Sequence, residues 1–293
     1  MDGLVALGSR LREAGYAFIT PTPETHRRVL LRGNPARTLR DVFGWNKPFA
    51  RWLVPEELLA LLGPALLQEG DLYRSAVRYS TLGEMIFMHS AYPTVEHDAV
   101  FFGPDTYRFV SLLQARVAAA GHVADVGCGS GAGGLLLAGR AKTVQLLDIN
   151  PRALGFAADN AKLNRVDARI AQSDVLSGAE GPLDLVIANP PYIADDAGRA
   201  YRDGGGSLGT ALSARICEES LQRLRPGGRL ILYTGTPVIE GEHVLWRQVQ
   251  PFLRNLQYDY RELDPDVFGE ELDQPAYSQT ERLAVVALDV VKS

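Results

Sequence analysis

The chain has 293 residues, of which 46% are hydrophobic and 22% are charged. That length suffices for one large domain or two ordinary ones, and the composition excludes a disordered chain. No apolar run approaches the roughly 20 residues of a membrane helix, and the first twenty residues show no signal-peptide core. Two cysteines and five scattered histidines exclude a disulfide framework and predict no metal site. A cytoplasmic enzyme is the class of protein that these features favour.

The net charge of −5 is unevenly distributed along the chain. Residues 27–51 contain seven basic side chains and one acid, a local charge of +6, so the remaining residues carry −11. One interpretation is a solvated helical face. The other is a docking surface for RNA, or for a partner bound to RNA.

The N-terminal part of the chain has the apolar spacing of short helices. Leu4, Leu7 and Leu11 recur at helical intervals, and Thr22-Pro23-Glu24 has the pattern of a cap followed by proline at the first helical position. Residues 1–71 are therefore predicted to form a small helical domain without a catalytic constellation. Its predicted core includes Phe43, Trp45, Phe49 and Trp52.

The pattern changes to strands at residue 72 and then to alternation. Residues 72–80 and 84–91 are rich in β-forming side chains and predict one β-hairpin, within a linker over 72–99. Beyond it strands and helices alternate, which predicts a largely parallel sheet. The predicted strands are 122–126, 143–147, 168–172, 183–188, 229–233, 258–263 and 283–291.

A glycine-rich segment follows the first of these strands. Residues 129–134 read G-S-G-A-G-G, and glycines let a backbone approach a ligand closely because they lack Cβ and tolerate positive φ. The spacing fits dinucleotide-binding loops, but alone it does not separate a nucleotide site from a structural turn. Asp148 ends the second strand, where a carboxylate can accept from ribose hydroxyls, and Asp174 follows the third, where it could accept from an adenine amino group.

Asp125 narrows the class of ligand that this site could bind. Its carboxylate precedes Gly127 by two residues, where it would repel a pyrophosphate but would suit an ammonium or sulfonium charge. The sequence therefore favours a positively charged nucleoside over a dinucleotide.

The fourth strand ends abruptly in Asn189-Pro190-Pro191-Tyr192. Because neither proline can donate a ladder hydrogen bond, the chain must turn at the carboxyl end of this strand. Ligands of open α/β sheets bind at that edge. The motif therefore predicts an amide, a free carbonyl and an aromatic ring at a binding site, and the alternative is a plain proline-rich turn.

The order of these motifs resembles the class I S-adenosylmethionine-dependent methyltransferases. The resemblance covers residues 100–235 and comprises D-x-G-x-G-x-G from Asp125, an acid after the second strand, an acid after the third, and N-P-P-Y after the fourth. The last motif is similar to that of enzymes that methylate planar nitrogens. These include adenine- and guanine-modifying enzymes and the release-factor glutamine methyltransferases.

The resemblance implies a Rossmann-like, mostly parallel sheet of seven strands within residues 100–293, with the helical domain recognising substrate. It implies S-adenosyl-L-methionine as the cofactor, bound by Asp125, Gly127, Cys128, Gly129, Gly131, Asp148, Ile149, Asp174, Val175 and Asn189.

Methyl transfer to a planar nitrogen needs acceptors for the hydrogens of that nitrogen, because its lone pair is delocalised. Asn189 could supply its side-chain oxygen and Pro190 its carbonyl, with Tyr192 packed on the planar group and Pro191 completing the substrate site. Residues 201–207 contain three glycines and predict either a mobile lid or a simple flexible connection.

Residues 104–106, Pro-Asp-Thr, are similar to an entry motif of the release-factor enzymes. The chain departs from that family at Gly103 and Tyr107, where arginine or glutamate is usual, and at 233–235, which lacks an acid. Residues 264–271 have no counterpart. The predicted acceptor is a protein glutamine, such as that of a release factor. The alternatives are an exocyclic amine of a nucleic-acid base, a small molecule, and a non-catalytic adenosylmethionine-binding protein.

Overall fold

The computed structural model describes residues 2–195 and 197–293. Its helices are α1 (Asp2–Glu13), α2 (Pro23–Leu30), α3 (Leu39–Phe43), α4 (Glu56–Leu62), α5 (Pro104–Arg116), α6 (Ala132–Leu137), α7 (Pro151–Leu163), α8 (Ala211–Arg223) and α9 (Val244–Val249). Its strands are β1 (Leu66–Glu69), β2 (Leu72–Ser75), β3 (Val77–Leu82), β4 (Met85–Ser90), β5 (Ala120–Val126), β6 (Ala141–Asp148), β7 (Arg169–Gln172), β8 (Leu183–Ala188), β9 (Leu224–Ile239), β10 (Glu242–His243), β11 (Gln257–Asp264) and β12 (Arg282–Val291). None of the described helices is long and apolar enough to cross a bilayer.

A mostly parallel sheet forms the centre of the molecule. Seven strands lie in the order β11-β12-β9-β8-β5-β6-β7, and the two-residue β10 pairs with β9. The neighbours among β5 to β9 are parallel, whereas β12 is antiparallel to both β9 and β11. The predicted Rossmann-like sheet is confirmed. Strand order reverses beside β5, so a crevice opens beyond the carboxyl ends of β5 and β8, where such sheets bind ligands.

Both faces of the sheet are covered by helices, which explains why its strands are apolar on both sides. Phe109 of α5 and Leu135 of α6 belong to the core on one face, and Ile216 of α8 and Leu245 of α9 belong to the core on the other. The sheet edge is thereby held rigidly, and the loops at the carboxyl ends of the strands take fixed positions around the crevice.

The N-terminal helices share a third core with α7. Leu7, Phe43 and Phe49 pack in one cluster with Phe156 and Leu163 of α7. The helix predicted after Thr22 is confirmed, because the Thr22 side chain accepts from the backbone N–H of Thr25. Trp52 was wrongly predicted as core: it lies in a short 3₁₀ turn, and 83% of it is exposed.

The single predicted hairpin is in fact two. β2 pairs with β1 across the positive-φ Gly70, and β3 pairs separately with β4. The break lies at Ala76, because the Ser75 hydroxyl both donates to the carbonyl of Val77 and accepts from its N–H. This local bonding competes with a continuous ladder, and β4 of the second hairpin lies against α7.

Candidate active site

A cavity of about 370 Å³ lies at the carboxyl edge of the sheet. It is lined by Gly129 after β5, Asp148 at the end of β6 and Asn189 after β8, and also by Arg78 of β3 and Phe268. Of the predicted site residues, those that line the cavity are Gly127, Gly129, Asp148, Ile149, Asp174, Val175, Asn189, Pro190, Pro191 and Tyr192. Asp125, Cys128 and Gly131 lie behind this surface.

The loop after β5 requires glycine at several positions. Gly127, Gly129 and Gly131 have φ of +64°, +54° and +82°, in the left-handed region that L side chains rarely adopt. A Cβ on Gly134 would lie 2.5 Å from the Leu146 side chain, so the start of α6 packs directly on β6. The loop thus presents bare backbone to the cavity. Cys128 packs beneath it, where burial raises the pKa of its thiol.

Asp125 supports this loop from below. It is 2% exposed, and its Oδ2 accepts from the backbone N–H of Gly134 at 2.7 Å. Burial raises the pKa of Asp125 to about 7, against the lowering effect of that hydrogen bond. The carboxylate therefore orients the first turn of α6, and any effect on a cationic ligand would pass through the loop.

Asp148 lies at the cavity surface, and its carboxylate has unoccupied hydrogen-bond acceptor sites. One oxygen accepts from the N–H of Gly129 and the other from the N–H of Asn150, both at 2.9 Å. Burial raises the pKa of Asp148. A carboxylate offers about four acceptor sites, so two remain for a vicinal diol. Ile149 beside it is 59% exposed and supplies an apolar surface for a flat ring.

Asp174 is engaged by a residue from a distant part of the chain. Its two oxygens accept from Arg215 of α8 at 2.8 and 2.9 Å, and these hydrogen bonds lower the pKa of Asp174. An adenine amino group would share this carboxylate with the arginine. Val175 follows with φ of +50° and turns the chain along the cavity wall.

The Asn-Pro-Pro-Tyr segment presents two unpaired acceptors. Among the described residues, neither the Asn189 side chain nor the carbonyl of Pro190 has a hydrogen-bond partner, and both residues line the cavity. β8 is buried and paired on both sides up to Ala188, so these groups are held at the end of a rigid strand.

Tyr192 is fixed by residues that the sequence did not connect to it. Its hydroxyl donates to Asp105 Oδ2 at 2.5 Å, and the Tyr233 hydroxyl donates to Asp105 Oδ1 at 2.8 Å. Its ring lies over Gly235, where a Cβ would come within 2.1 Å of the ring. The Pro-Asp-Thr segment and residues 233–235 of β9 are therefore structural partners of the Asn-Pro-Pro-Tyr turn.

The glycine-rich loop predicted as a lid or a flexible connection is tied to the C-terminal segment. Ile193 forms a bridge with Asp203, and the N–H of Ala194 donates to the hydroxyl of Tyr277 at 2.8 Å. Arg202 forms an ion pair with the buried Glu271. The C-terminal segment thus packs on this loop through Glu271, and its Phe268 lines the cavity.

Comparison with known proteins finds one matching family and several similar proteins. Residues 102–250 match the family described as methyltransferase small domain. A release factor glutamine methyltransferase of Deinococcus radiodurans is 34% identical over 124 residues, which are 38% of this chain and 44% of that protein. A ribosomal protein L11 methyltransferase of Bacillus cereus is 30% identical over 131 residues, which are 41% of this chain and 42% of that protein.

The matched segment spans only about half the length of these curated relatives. Among solved structures, Trm5b of Pyrococcus abyssi is similar with a TM-score of 0.50 and 19% identity, over 77% of this chain and 62% of that chain. This last similarity concerns the fold alone.

Proposed function

The chain belongs to the methyltransferase small domain family, and we propose that it transfers the methyl group of S-adenosylmethionine to the side-chain amide of a protein glutamine. The observation that carries the proposal is the pair of unpaired acceptors, on Asn189 and Pro190, in one cavity with the glycine loop and Asp148.

The residues of the cavity fit the cofactor. The bare backbone at Gly127 and Gly129 permits close approach, and the free acceptor sites of Asp148 match two ribose hydroxyls. Bound there, the cofactor supplies a methyl group on a sulfonium centre. The protein then has to orient an acceptor toward that methyl group and exclude water from the site of transfer.

Asn189 and Pro190 provide that orientation. Each can accept one hydrogen of an amide NH₂ group, which holds the nitrogen in line and favours pyramidalisation as positive charge develops. Tyr192, with its hydroxyl bound to Asp105, offers a fixed wall for the planar group. The S–CH₃ bond of the donor would break as the N–CH₃ bond forms, and the methylated nitrogen would then release its surplus proton to water as the product leaves, so that positioning and preorganised acceptors suffice without a dedicated general base.

A protein acceptor is favoured over nucleic acid by charge as well as by the names of the relatives. Within the basic window, Arg27 and Arg28 pair with Glu24, Lys47 with Asp41, and Arg51 with Glu56. Arg32, Arg37 and Arg40 have no such ion pair among the described residues, so the pairing reduces, without abolishing, the counterion release that this window could supply on binding phosphate. The overall charge of −5 points the same way.

The test is transfer of radiolabelled methyl from S-adenosylmethionine into a cell lysate. We expect label in a protein band that survives nuclease, and hydrolysis of that band should yield methylated glutamine. Nuclease-sensitive label would instead assign a nucleic-acid acceptor, and an extractable labelled metabolite would assign a small molecule. Absence of transfer to every fraction would contradict the proposed activity.

Asn189→Ala is expected to lower label transfer by roughly 10²-fold or more, because it removes one preorganised acceptor. Binding of S-adenosylhomocysteine, measured by calorimetry, should be largely retained. Asn34→Ala, at an exposed position outside the cavity, is the matched control and should behave as wild type. Wild-type transfer by Asn189→Ala would overturn the role given to this residue.

A further inference from the structure

One arginine in the cavity wall is buried without a compensating charge. Arg78 of β3 is 2% exposed and lines the cavity at the end formed by the N-terminal helices and the linker. Its Nε donates to the carbonyl of Ser90 at 3.0 Å, the one hydrogen bond of its side chain within the part of the chain that the structure describes. The terminal nitrogens of the guanidinium group therefore keep their donors free for a ligand.

Within residues 2–195 and 197–293, no carboxylate forms an ion pair with Arg78. The phenols of Tyr16, Tyr92 and Tyr107 lie near enough to favour its charged form, and its charge in turn disfavours protonation of the buried His26 and His89. Burial lowers the pKa of Arg78 to about 10, so the group is still charged at neutral pH. An unpaired buried charge is strongly unfavourable, and a ligand that brings a negative group to this position relieves that cost.

A second buried side chain in the same wall has a free hydrogen-bond acceptor, whereas Arg78 has free donors. His26 is 1% exposed, and its Nε2 lies 2.8 Å from the carbonyl of Trp45, which assigns the proton to Nε2. Nδ1 is then an acceptor, and it has no partner among the described residues. Burial and the nearby Arg78 lower the pKa of His26 to about 4, so the ring is neutral. The ring stacks on Tyr92 at 4.0 Å, which fixes its orientation.

We propose that Arg78 is the carboxylate-binding residue of this cavity, with His26 as a neutral acceptor beside it. The carboxylate belongs either to the methionine part of the methyl donor or to the acceptor substrate, and the guanidinium group would bind it through paired N–H donors. The assignment rests on the proposed function for the identity of the donor, but not on glutamine as the acceptor.

The first experiment measures calorimetric affinities of S-adenosylhomocysteine and 5′-methylthioadenosine, which has the same nucleoside without the amino-acid group. The proteins are the wild type, Arg78→Met and Arg78→Lys. If the donor supplies the carboxylate, Arg78→Met weakens S-adenosylhomocysteine by at least roughly tenfold. Affinity for 5′-methylthioadenosine stays unchanged, which also shows that the variant is folded, and Arg78→Lys loses less. Arg28→Met, an exposed arginine outside the cavity, is the matched control.

The second experiment adds sodium formate to protein saturated with S-adenosylhomocysteine and follows thermal unfolding, with sodium chloride at equal ionic strength as reference. If the acceptor supplies the carboxylate, formate stabilises the wild type and not Arg78→Met, and the first experiment shows no change.

Two results would overturn the assignment. One is equal weakening of both nucleosides, because Arg78 would then support the shape of the cavity only. The other is no difference between wild type and Arg78→Met in either experiment. Both readouts are independent of the acceptor, so a failure of glutamine methylation leaves them interpretable. Absence of nucleoside binding by the wild type would contradict the proposed function together with this assignment.

Discussion

Asp125 shows how one buried carboxyl group couples the glycine loop to pH. Its pKa of about 7 in the folded protein lies above the ordinary value of 3.8, because burial penalises the charged form. Between these values the folded state holds a proton that the unfolded chain releases. The free energy of unfolding that Asp125 contributes therefore falls as the pH rises from about 4 to about 7.

Asp125→Asn removes this titration and should change the pH dependence accordingly. Relative to wild type, the variant is expected to gain roughly 1.4 kcal/mol in free energy of unfolding per pH unit across that window. Urea unfolding at pH 5, 6 and 7 measures the slope, and pH 8 and 9 serve as a flat control region. Asp148, whose pKa is also raised, is present in both proteins. A difference that is independent of pH would show that Asp125 ionises normally in the folded protein.

For individual residues, the sequence predicted which of them lie at the ends of strands better than it predicted their hydrogen-bond partners. Asp148 and Asn189 could be assigned to the cavity because each ends a buried strand at the same sheet edge. The contact of Asp174 with Arg215, 41 residues away, could not, since it depends on how α8 packs. Arg78 gave no signal at all, because a lone arginine in a strand looks like a surface residue until its burial is known.

The turn after β8 is held in place by β9, which is an effect at the scale of elements. Gly235 of β9 receives the ring of Tyr192, and a Cβ there would lie 2.1 and 2.3 Å from two ring carbons. The Tyr192 ring is enclosed and its hydroxyl is bound to Asp105. The ring can therefore make room for a Cβ only if the turn that carries Asn189 moves.

Gly235→Ala is therefore expected to reduce methyl transfer by up to roughly 10²-fold, the effect of a displacement of about 1 Å at a reacting group. Affinity for S-adenosylhomocysteine should change little, since the glycine loop and Asp148 lie on other strands. Gly139→Ala is the matched control, because a Cβ at Gly139 would meet no atom within 4 Å and the φ of this residue is ordinary. If Gly235→Ala transfers methyl groups at the wild-type rate, the turn does not depend on this contact.

Periodicity predicted the parallel strands well because each is a short apolar run bounded by turn residues. Periodicity failed where tertiary contacts determine the bounds of a strand. β9 extends from Leu224 to Ile239, beyond the predicted 229–233 at both ends. At its C-terminal end, pairing with β12 continues to Val238 through residues with little β propensity, such as Gly235. The β1–β2 hairpin was missed for a related reason, since three of the four β1 residues are exposed and the strand shows no buried face.

The N-terminal helices and the sheet domain are joined by side-chain contacts through α7 as well as by the chain. Asn160 of α7 is fully buried and bonds to the N–H and carbonyl of Met88 in β4 and to the carbonyl of Ser130 in the glycine loop, at 2.7, 2.9 and 2.9 Å. Arg12 of α1 donates to the carbonyl of Leu163 at 3.0 Å. The division at residues 71 and 99, predicted from the change of residue pattern, has one packed core on both of its sides.

This shared core predicts that the whole chain unfolds in a single transition. Trp45 reports on the N-terminal helices, where it packs edge-on against Phe18, and Trp246 reports on the sheet domain, where it packs against Tyr260. Two variants isolate these signals: Trp52→Phe/Trp246→Phe leaves Trp45, and Trp45→Phe/Trp52→Phe leaves Trp246. Fluorescence-detected urea unfolding of each should give coincident midpoints with circular dichroism of the same protein.

The physical reason is that residues 2–65 cannot retain their core once α7 is lost, because Phe156 and Leu163 are part of it. A unit of about 60 residues is only marginally stable by itself, so the loss of these two side chains is expected to unfold it. Coincidence of the probes is the standard sign of one cooperative unit. A Trp45 transition at lower urea than the circular-dichroism transition would show instead that the N-terminal helices open independently. The cavity wall that contains His26 and Arg78 would then form only when the two parts are docked.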